Sequence, residues 1–483
     1  MNRKLLVLAA LACAIPAGLA GAQAPLAKSR APFRVTGVTP RANALAVPRA
    51  TAISVSFSRA VDPSSLGVAD FHVFGRWSAI TPGTVAWRAG GKVLTFTPDD
   101  PFSAGETVFV SVSKNVRSRD GEALGRGYSF AFWTDSRAGA ATLTLVDTLL
   151  PGQTPYGAYG GDIDGDGDLD LCVPNEDTSD VSVFLNGGSG DFGPETTYGV
   201  GFHCSPSEAA DLDFDGALDL AVANILDHDV SILWGNGDGT FQPQQRIPVG
   251  QQPRGLTLID CDGDGDMDIV TANRQSGNLS LALNLGGRGF AAAVPIDPGA
   301  SGETGVTACD MDNDGLADLV VIGFSDDTVS VLLGRGDGTF VLHQTRAIGD
   351  APWMVATGDV DGDGFNDVGA ALAGADRAAI ALNDGSGGLR APTTYTAGDF
   401  PIAIDLGDLN GDGHLDLSTS AFGGDIFRLR YNDGSGAFGA PTDLPAMSAG
   451  SCTVPHDFDG DGDVDVVGID ELADRIFLFR RDG

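Results

Sequence analysis

The residues of this sequence that are best suited to chemistry are aspartates, which recur in an evenly spaced nonapeptide. The first copy, residues 162–170, reads DIDGDGDLD. Further copies begin at Asp211, Asp260, Asp310, Asp359, Asp408 and Asp457, so that successive starts are 49, 49, 50, 49, 49 and 49 residues apart. An acidic pattern that recurs seven times at so even a period predicts a repeated structural unit.

Each copy offers oxygen atoms at fixed positions. Positions one, three, five and nine carry carboxylates, or the amide of Asn410 in one copy, and position seven can offer its backbone carbonyl whatever its side chain is. Glycine at position six allows a sharp turn. Hard oxygen ligands in this number and spacing suit Ca²⁺. Without a cation, two carboxylates about 4 Å apart would repel by roughly 4 kcal/mol at an effective dielectric constant near 20.

The sequence therefore predicts up to seven Ca²⁺ sites, one in each copy. The predicted ligand positions, in chain order, are Asp162, Asp164, Asp166, Asp168, Asp170; Asp211, Asp213, Asp215, Ala217, Asp219; Asp260, Asp262, Asp264, Asp266, Asp268; Asp310, Asp312, Asp314, Leu316, Asp318; Asp359, Asp361, Asp363, Phe365, Asp367; Asp408, Asn410, Asp412, His414, Asp416; and Asp457, Asp459, Asp461, Asp463, Asp465.

Two alternatives compete with this interpretation. An EF-hand loop would need a bidentate glutamate at position twelve and flanking helices, but position twelve of the first copy is Val173 and a strand-like run follows. The other alternative is a set of aspartate-rich turns that hold no metal. Asn410 brings an oxygen without a charge, so we expect that copy to be the weakest site.

The elements that must position these loops are short strands. Apolar and alternating runs separated by Gly, Asn and Asp surround each copy, and they predict four strands per repeat. Residues 141–483 span seven repeats of 49 residues, which predicts a seven-bladed β-propeller. The last repeat stops after three strands, so we expect residues 142–146 to pair with it and to close the ring.

A second all-β unit precedes the repeats. Residues 31–135 contain alternating runs at 53–57, 93–96, 108–112 and 128–133, which predict a β-sandwich, and residues 136–140 read as a linker. The segments TP at 39–40, FSRAVD at 57–62, LTFTP at 94–98 and FWT at 132–134 resemble those of bacterial Ig-like domains of the SbsA type found in surface proteins.

The repeats at residues 141–483 resemble the FG-GAP/VCBS repeats of integrin α-type propellers and of many secreted bacterial proteins. The resemblance rests on the loop pattern, the period and the copy number. It implies Ca²⁺ in the hairpin between the first two strands of each blade. Because that fold carries lectins, adhesion modules and some lyases and lipases, the resemblance leaves the function open.

Export is predicted by the N-terminus. Basic residues at 1–4, an apolar run and small residues at Ala20, Ala22 and Ala24 match a secretory signal, so residues 1–24 are expected to be removed. We expect a secreted, extracellular, periplasmic or cell-surface protein with no membrane span in the mature chain. The formal net charge of -36 excludes nucleic acid as a partner, because phosphates would be repelled.

Candidate binding residues lie six positions before each loop, at the end of the inner strand opposite the aspartates. Tyr156, Arg254 and Trp353 stand out there, since they could stack on a sugar or bind an acidic group. Scattered histidines and the lack of a recognisable nucleophile motif argue against catalysis. The sequence thus favours a non-enzymatic adhesion or ligand-binding protein for a glycan or a protein; the alternative is a calcium-assisted polysaccharide lyase or hydrolase.

Overall fold

The computed structural model describes residues 31–139 and 142–481, and these residues form an all-β protein. The predicted signal segment, residues 1–24, lies outside the described residues. Within the described ranges no helix is both long and apolar enough to cross a membrane. The one helical element there is a short 3-10 turn at Pro63–Ser65.

The first unit is a sandwich of a four-stranded and a five-stranded sheet, as the sequence predicts. The sheet orders are β1-β3-β7-β6 and β2-β9-β8-β4-β5, with β2 parallel to β9. Alternation places every second side chain of β3 in the core between the sheets. The strands are β1 (Val35–Thr39), β2 (Ala44–Val47), β3 (Ile53–Phe57), β4 (Phe71–Gly75), β5 (Ala79–Ile80), β6 (Gly83–Arg88), β7 (Val93–Pro98), β8 (Thr107–Val112) and β9 (Tyr128–Thr134).

The second unit consists of seven four-stranded antiparallel sheets, the blades of the predicted propeller. The strands of blades 1 to 4 are β11 (Tyr159–Gly161), β12 (Asp170–Asn175), β13 (Asp180–Phe184), β14 (Thr196–Gly199); β15 (Cys204–Ala210), β16 (Asp219–Asn224), β17 (Asp229–Leu233), β18 (Gln245–Pro248); β19 (Pro253–Ile259), β20 (Asp268–Asn273), β21 (Asn278–Ala282), β22 (Val294–Ile296); and β23 (Glu303–Cys309), β24 (Asp318–Gly323), β25 (Thr328–Gly334), β26 (Phe340–Ala347).

Blades 5 to 7 follow the same order, and the last is completed by a strand from the start of the unit. Their strands are β27 (Pro352–Gly358), β28 (Asp367–Leu372), β29 (Arg377–Ala381), β30 (Thr393–Thr396); β31 (Ile404–Gly407), β32 (Asp416–Ala421), β33 (Ile426–Asn432), β34 (Phe438–Pro445); and β35 (Gly450–His456), β36 (Asp465–Asp470), β37 (Arg475–Arg481) with β10 (Leu143–Leu149).

The ring is closed in the way the sequence predicts. Strand β10 pairs antiparallel with β37, with Leu143 opposite Arg481 and Leu149 opposite Ile476. The first strands of the blades contact one another in order, and β35 contacts β11. Blade 7 therefore has its full complement of four strands, and β37 is not left as the exposed edge of that blade.

Burial is greatest in the second strand of each blade. All six residues of β16 are buried, and the corresponding strands of the other six blades are buried throughout as well. These strands pack against neighbouring blades on both faces, so they read as continuous apolar runs. Apolar side chains there contribute about 1.5–3 kcal/mol each through burial. The five described cysteines, Cys172, Cys204, Cys261, Cys309 and Cys452, are free.

Candidate metal and ligand sites

The two ends of the propeller differ in character. Each first strand runs into its aspartate nonapeptide, so all seven loops lie at one end, which we call the loop face. The connections between second and third strands and those between blades form the opposite end, which we call the open face. The candidate residues Arg254 and Trp353 start the first strands β19 and β27 and therefore lie at the open face, as does Tyr156.

Within the loops, backbone conformation follows the predicted pattern. Glycine at position six has a positive φ in every copy, from 83° at Gly315 to 101° at Gly265, where a side chain would be strained. In all seven copies its N–H donates to the carboxylate at position one, over 2.7–3.2 Å. The glycine conformation and this hydrogen bond therefore give all seven loops the same turn.

The carboxylates of these loops converge. Oxygens of the aspartates at positions one, three and nine lie within 4.8 Å of one another in blades 1, 2, 4 and 5, and those at positions one, three and five do so in blade 3. Such groups could hold a metal ion. Several aspartate triads of the size Ca²⁺ requires are therefore present, at loops that the sequence singled out.

Two buried oxygens test whether a cation fits. Oδ1 of Asp359 and Oδ1 of Asp457, both at position one, are shielded from solvent and have no hydrogen-bond partner among the described residues. A buried carboxylate oxygen that lacks a partner is costly, and a cation bound between the loop carboxylates would satisfy it. The donor set, which consists of oxygens alone, matches Ca²⁺ better than a softer metal.

The aspartate at position nine has a second role that the sequence did not reveal. In each blade its Oδ2 accepts the N–H of position two, and its Oδ1 accepts the N–H sixteen residues later, where the third strand ends. These seven side chains are at most 1 % exposed. They join the loop to the neighbouring turn, whether or not a metal is bound.

Burial makes these carboxyls hard to ionise without a cation. It raises the pKa of Asp219 and of Asp416 to about 8, against the lowering effect of the backbone hydrogen bonds, and neighbouring carboxylates add to the increase. The same cause raises the pKa of Asp310 to about 8. A divalent ion in the loop would favour the ionised forms.

Four turns contain an asparagine that links neighbouring blades. Nδ2 of Asn383 donates to the carbonyl of Met311 in blade 4 over 3.0 Å, and Asn432 repeats this contact with Val360 over 2.7 Å. Asn186 and Asn284 do the same in blades 1 and 3. All four lie 24 residues after the first aspartate of their copy, a regularity that aligning the repeats would have exposed.

The sandwich and the segment after it cover the loop face. The backbone carbonyl of Trp77 accepts from Asp162, Lys114 Nζ donates to Asp262 over 2.9 Å, and Ser129 donates to Gly315. The predicted linker also takes part, because Arg137 pairs with Asp461 over 2.8 Å. The other loops are contacted through the pairs His72 with Phe214, Asn43 with Gly364, and Ser136 with Asp408.

A cavity of about 310 Å³ runs between the first strands of the blades. At the loop face it is lined by sandwich residues that include Phe109 and Trp133, and Tyr156 lines it at the other end. Arg76 of the sandwich reaches a carboxylate of blade 6 inside, with 3.8 Å between its Nη1 and Oδ1 of Asp405. The sandwich therefore closes one mouth of this channel.

At the open face the three candidate binding residues meet. Nε1 of Trp353 donates to the hydroxyl of Tyr156 over 2.8 Å, although they belong to blades 5 and 1, so the pair reaches across the channel mouth. The guanidinium of Arg254 lies over the Trp353 ring at 5.6 Å from its centroid. Burial raises the pKa of Tyr156, which keeps its hydroxyl protonated.

The structure adds residues to this group that the sequence did not single out. Arg274 lies over the rings of Phe324, at 4.6 Å, and of Trp353, at 5.2 Å. Phe400 extends the aromatic group, with 6.5 Å between its centroid and that of Trp353. We call Tyr156, Arg254, Arg274, Phe324, Trp353 and Phe400 the mouth cluster. Arg274 and Phe324 occupy the same repeat position, 14 residues after the first aspartate of their copy, where Glu176 and Glu471 also stand, so aligning the repeats would have drawn attention to this position.

The other four residues that lie six positions before a loop contact the scaffold of the propeller. The hydroxyls of Ser205, Thr304 and Ser451 each donate to a backbone carbonyl of a neighbouring blade, over 3.3–3.5 Å. Ile402 is buried. Of the seven residues at this level of the ring, only Tyr156, Arg254 and Trp353 thus form the aromatic and cationic group.

Comparison with known proteins agrees with this architecture. A family model described as bacterial Ig-like domain matches residues 29–134. A model described as FG-GAP-like repeat matches residues 162–222, 211–271, 260–321, 310–370 and 359–419, which together cover more than half of the chain. No curated protein matches.

Solved structures similar to the chain include propellers of diverse proteins. BBS1N, in complex with ARL6DN, is 11% identical, with a TM-score of 0.52 over 70% of this chain and 97% of that chain, a likeness in fold alone. An Agrocybe aegerita lectin that recognises non-reducing terminal N-acetylglucosamine is 21% identical, with a TM-score of 0.43 over 79% and 91%. The periplasmic gluconolactonase of Pseudomonas aeruginosa is 15% identical, with a TM-score of 0.44 over 84% and 96%.

Proposed function

We propose that this chain, which belongs to the FG-GAP-like repeat proteins and carries a bacterial Ig-like domain, is an exported calcium-binding protein that binds an extracellular glycan or protein without catalysis. In this proposal Ca²⁺ stabilises the seven loops, and the mouth cluster at the open face binds the ligand. The sandwich holds the loop face, which leaves the open face for the ligand.

The observation that carries the proposal is the mouth cluster itself. Residues from blades 1, 3, 4 and 5 and from the connection before blade 6 converge on Trp353. Aromatic rings with adjacent hydrogen-bond donors are a common way to bind sugars and protein side chains. A scaffold without a ligand would have no need of two arginines at this point.

Exposed apolar side chains around the cluster support the same assignment. Several connections of the open face present large apolar residues to solvent, with exposures between 41% and 63%: Leu150, Phe202, Leu226, Phe400, Met447 and Leu472. Of these, Phe400 contacts the cluster through Trp353, and an apolar side chain next to polar groups is typical of an interaction site. Bacterial Ig-like domains and FG-GAP repeats are typical of extracellular or surface proteins, which favours export.

A binding screen with the Ca²⁺-loaded protein tests the proposal. Residues 25–483 are applied to arrays of oligosaccharides and of extracellular proteins, and every signal is measured again with Trp353→Ala. We expect the variant to lose the signal, whereas Leu285→Ala, which changes an exposed apolar residue of the loop face, keeps it. If Trp353→Ala binds the same ligands as the wild type does, the assignment of the open face is contradicted. The melting temperatures of both variants show whether they are folded.

One observation favours the alternative, an enzyme that degrades polysaccharides. Glu471 lies at the open face close to Glu176 and Arg254, and burial raises its pKa to about 8. A carboxyl that stays protonated near neutral pH can act as a general acid. An assay of new reducing ends and of unsaturated products separates the two functions, because a hydrolase or a lyase would release them and Glu471→Gln would abolish the release.

A further inference from the structure

Arg254 and Arg274 differ from most basic residues of this chain in their partners. The chain has 65 acidic and 29 basic residues. Other half-buried arginines commonly pair with aspartates, as Arg288 does with Asp213. Within the described ranges, neither Arg254 nor Arg274 makes an ion pair or a side-chain hydrogen bond, and Arg254 Nε is buried without a partner.

Their surroundings make this arrangement costly without a ligand. Both guanidinium groups are half-buried and lie over the same indole ring, that of Trp353. Burial, and then the positive charge of Arg254, lower the pKa of Arg274. The aromatic rings compensate for part of this cost. Two adjacent cations with free N–H groups are complementary to an oxyanion, which can accept two parallel hydrogen bonds from one guanidinium.

The rim of the open face limits the size and charge of that ligand. Connections around the mouth carry many aspartates: Asp177, Asp227, Asp326, Asp327, Asp350, Asp376, Asp399, Asp425 and Asp474. This negative rim would repel a polyanion, whereas one carboxylate that reaches the centre meets the two arginines. The distribution of charge therefore favours a ligand with a single acidic group at its end.

Acceptors beside the arginines distinguish a sugar from a peptide. Oε2 of Glu471 is buried without a partner among the described residues, and Glu176 accepts from His203, with 3.0 Å between Oε2 and Nε2. Free acceptors next to cations suit a ring that carries hydroxyl donors as well as a carboxylate. An acidic peptide brings carboxylates but no hydroxyl donors, so it would leave Oε2 of Glu471 without a partner.

We propose that the mouth cluster binds the terminal acidic sugar of a glycan, with Arg254 and Arg274 on its carboxylate and Glu471 accepting from its hydroxyls. This inference rests on the proposed function and names the ligand class of that same site. Uronic acids are the simplest sugars with this chemistry. The exposed ring of Phe400 lies beside Trp353 and offers an apolar contact to the sugar ring.

Calorimetric titration with three small probes tests the inference. The probes are glucuronic acid, its neutral amide glucuronamide and glucose, each added to the Ca²⁺-loaded protein in the same buffer. We expect the acid to bind at least about tenfold more tightly than the amide, because hydrogen bonds between a guanidinium and a carboxylate are stronger than those to a neutral amide. Arg254→Gln and Arg274→Gln should each weaken binding of the acid about tenfold, without weakening binding of the amide.

Arg335→Gln is the matched control, because Arg335 is an exposed arginine at the loop face. Equal affinity for acid and amide, or arginine variants that bind as the wild type does, would overturn the inference. If neutral sugars then bind in a way that depends on Trp353, the proposed function stands and only the ligand class is wrong. Binding of an acidic peptide such as tetraglutamate, with no binding of the acid sugar, would also overturn it and would point to a protein ligand.

Discussion

Removal of Ca²⁺ is the perturbation whose effect can best be estimated from the structure. In the loops of blades 1, 2, 4 and 5, carboxylate oxygens from positions one, three and nine lie within 4.8 Å of one another. At that separation and an effective dielectric constant near 20, each ionised pair repels by about 3–4 kcal/mol. Without metal, a loop must either bear this repulsion or take up protons.

Proton uptake reduces this cost, because it relieves the repulsion between the carboxylates. Burial raises the pKa of Asp416 to about 8, so at pH 7 that carboxyl is largely protonated without metal and ionised with it. Stabilisation by a bound ion grows with its concentration and reaches about 2.7 kcal/mol per site at 100 times the dissociation constant. Because the unfolding entropy grows with chain length, about 1 kcal/mol shifts the melting temperature of a unit of about 340 residues by only about 1.4 °C, so three occupied loops should account for about 10 °C or more.

Differential scanning calorimetry on four samples measures this effect. The samples contain millimolar Ca²⁺, excess chelator, chelator followed by restored Ca²⁺, and Mg²⁺ in place of Ca²⁺. We expect a drop of at least about 10 °C with chelator, full recovery with Ca²⁺ and weaker recovery with Mg²⁺, which prefers a more rigid octahedral site. Titration of the metal-free protein counts the sites, and seven is the upper limit.

Variants of single loops link the effect to the aspartates. Asp361→Asn, at position three of blade 5, removes one charge and should weaken one site, whereas Asp238→Asn changes an exposed turn of blade 2 that lies outside the nonapeptides. A melting temperature that is the same with chelator and with Ca²⁺, after elemental analysis has shown that the metal was removed, would refute the assignment of the loops as stabilising metal sites.

Three further predictions concern the scaffold. Glu303 is fully buried, burial raises its pKa from 4.5 to about 7, and its carboxylate oxygens find no hydrogen-bond partner in the described part of the chain. Because the folded state binds that proton more tightly than the unfolded state does, the free energy of unfolding falls as pH rises from about 4.5 through 7. Glu303→Gln removes this loss, so with Ca²⁺ present it should raise the free energy of unfolding by up to about 3 kcal/mol at pH 8 and leave it unchanged at pH 4.5. Urea denaturation at the two pH values measures the difference. Asn383→Ala should lower the free energy of unfolding by about 1–3 kcal/mol, because buried backbone carbonyls of two blades lose their donor, whereas the exposed Asn236→Ala should change it little. The N–H of Thr148 donates to the side chain of Asp147, so the alternation of the strand turns the N–H of Asp147 toward β37. Asp147→Pro should therefore weaken the pairing of β10 with β37, lower the melting temperature and promote association through the opened edge on size-exclusion chromatography. Val146→Thr, an exposed change in the same strand, should do none of these, and a monomeric Asp147→Pro protein with an unchanged melt would count against the role of β10.

Much of the fold could be predicted because the repeat is so regular. Seven copies at a period near 49 gave the number of blades, and the missing fourth strand after residues 476–479 predicted the role of β10. The glycine at position six was recognisable because only a residue without a side chain adopts its backbone conformation at no cost. These features follow from the period of the repeat and from residue types at fixed positions, both of which can be read from the sequence alone.

Features that depend on the packing of distant segments could not be predicted. Arg274, Phe324 and Phe400 join Trp353 because three separate connections of the open face converge, and the repeat position that Arg274 and Phe324 share does not reveal that convergence. The sandwich carries Lys114 onto the loop face through its own fold, so nothing in the spacing between Lys114 and Asp262 reveals the contact. The asparagine that lies 24 residues after the first aspartate of four copies is an intermediate case. Its spacing can be read from the sequence, but the carbonyl of the neighbouring blade that it contacts cannot.

The pairing of β10 with β37 also determines how the propeller would respond to mechanical load. Leu143 at the start of β10 lies opposite Arg481 at the end of β37, so the two ends of the ring leave the same side of one antiparallel ladder. A pull between those ends would unzip the ladder one hydrogen bond after another, which takes less force than shearing all of them together. Tension between the sandwich and a ligand at the open face would also reach this ladder, because the chain passes from the sandwich directly into the start of β10.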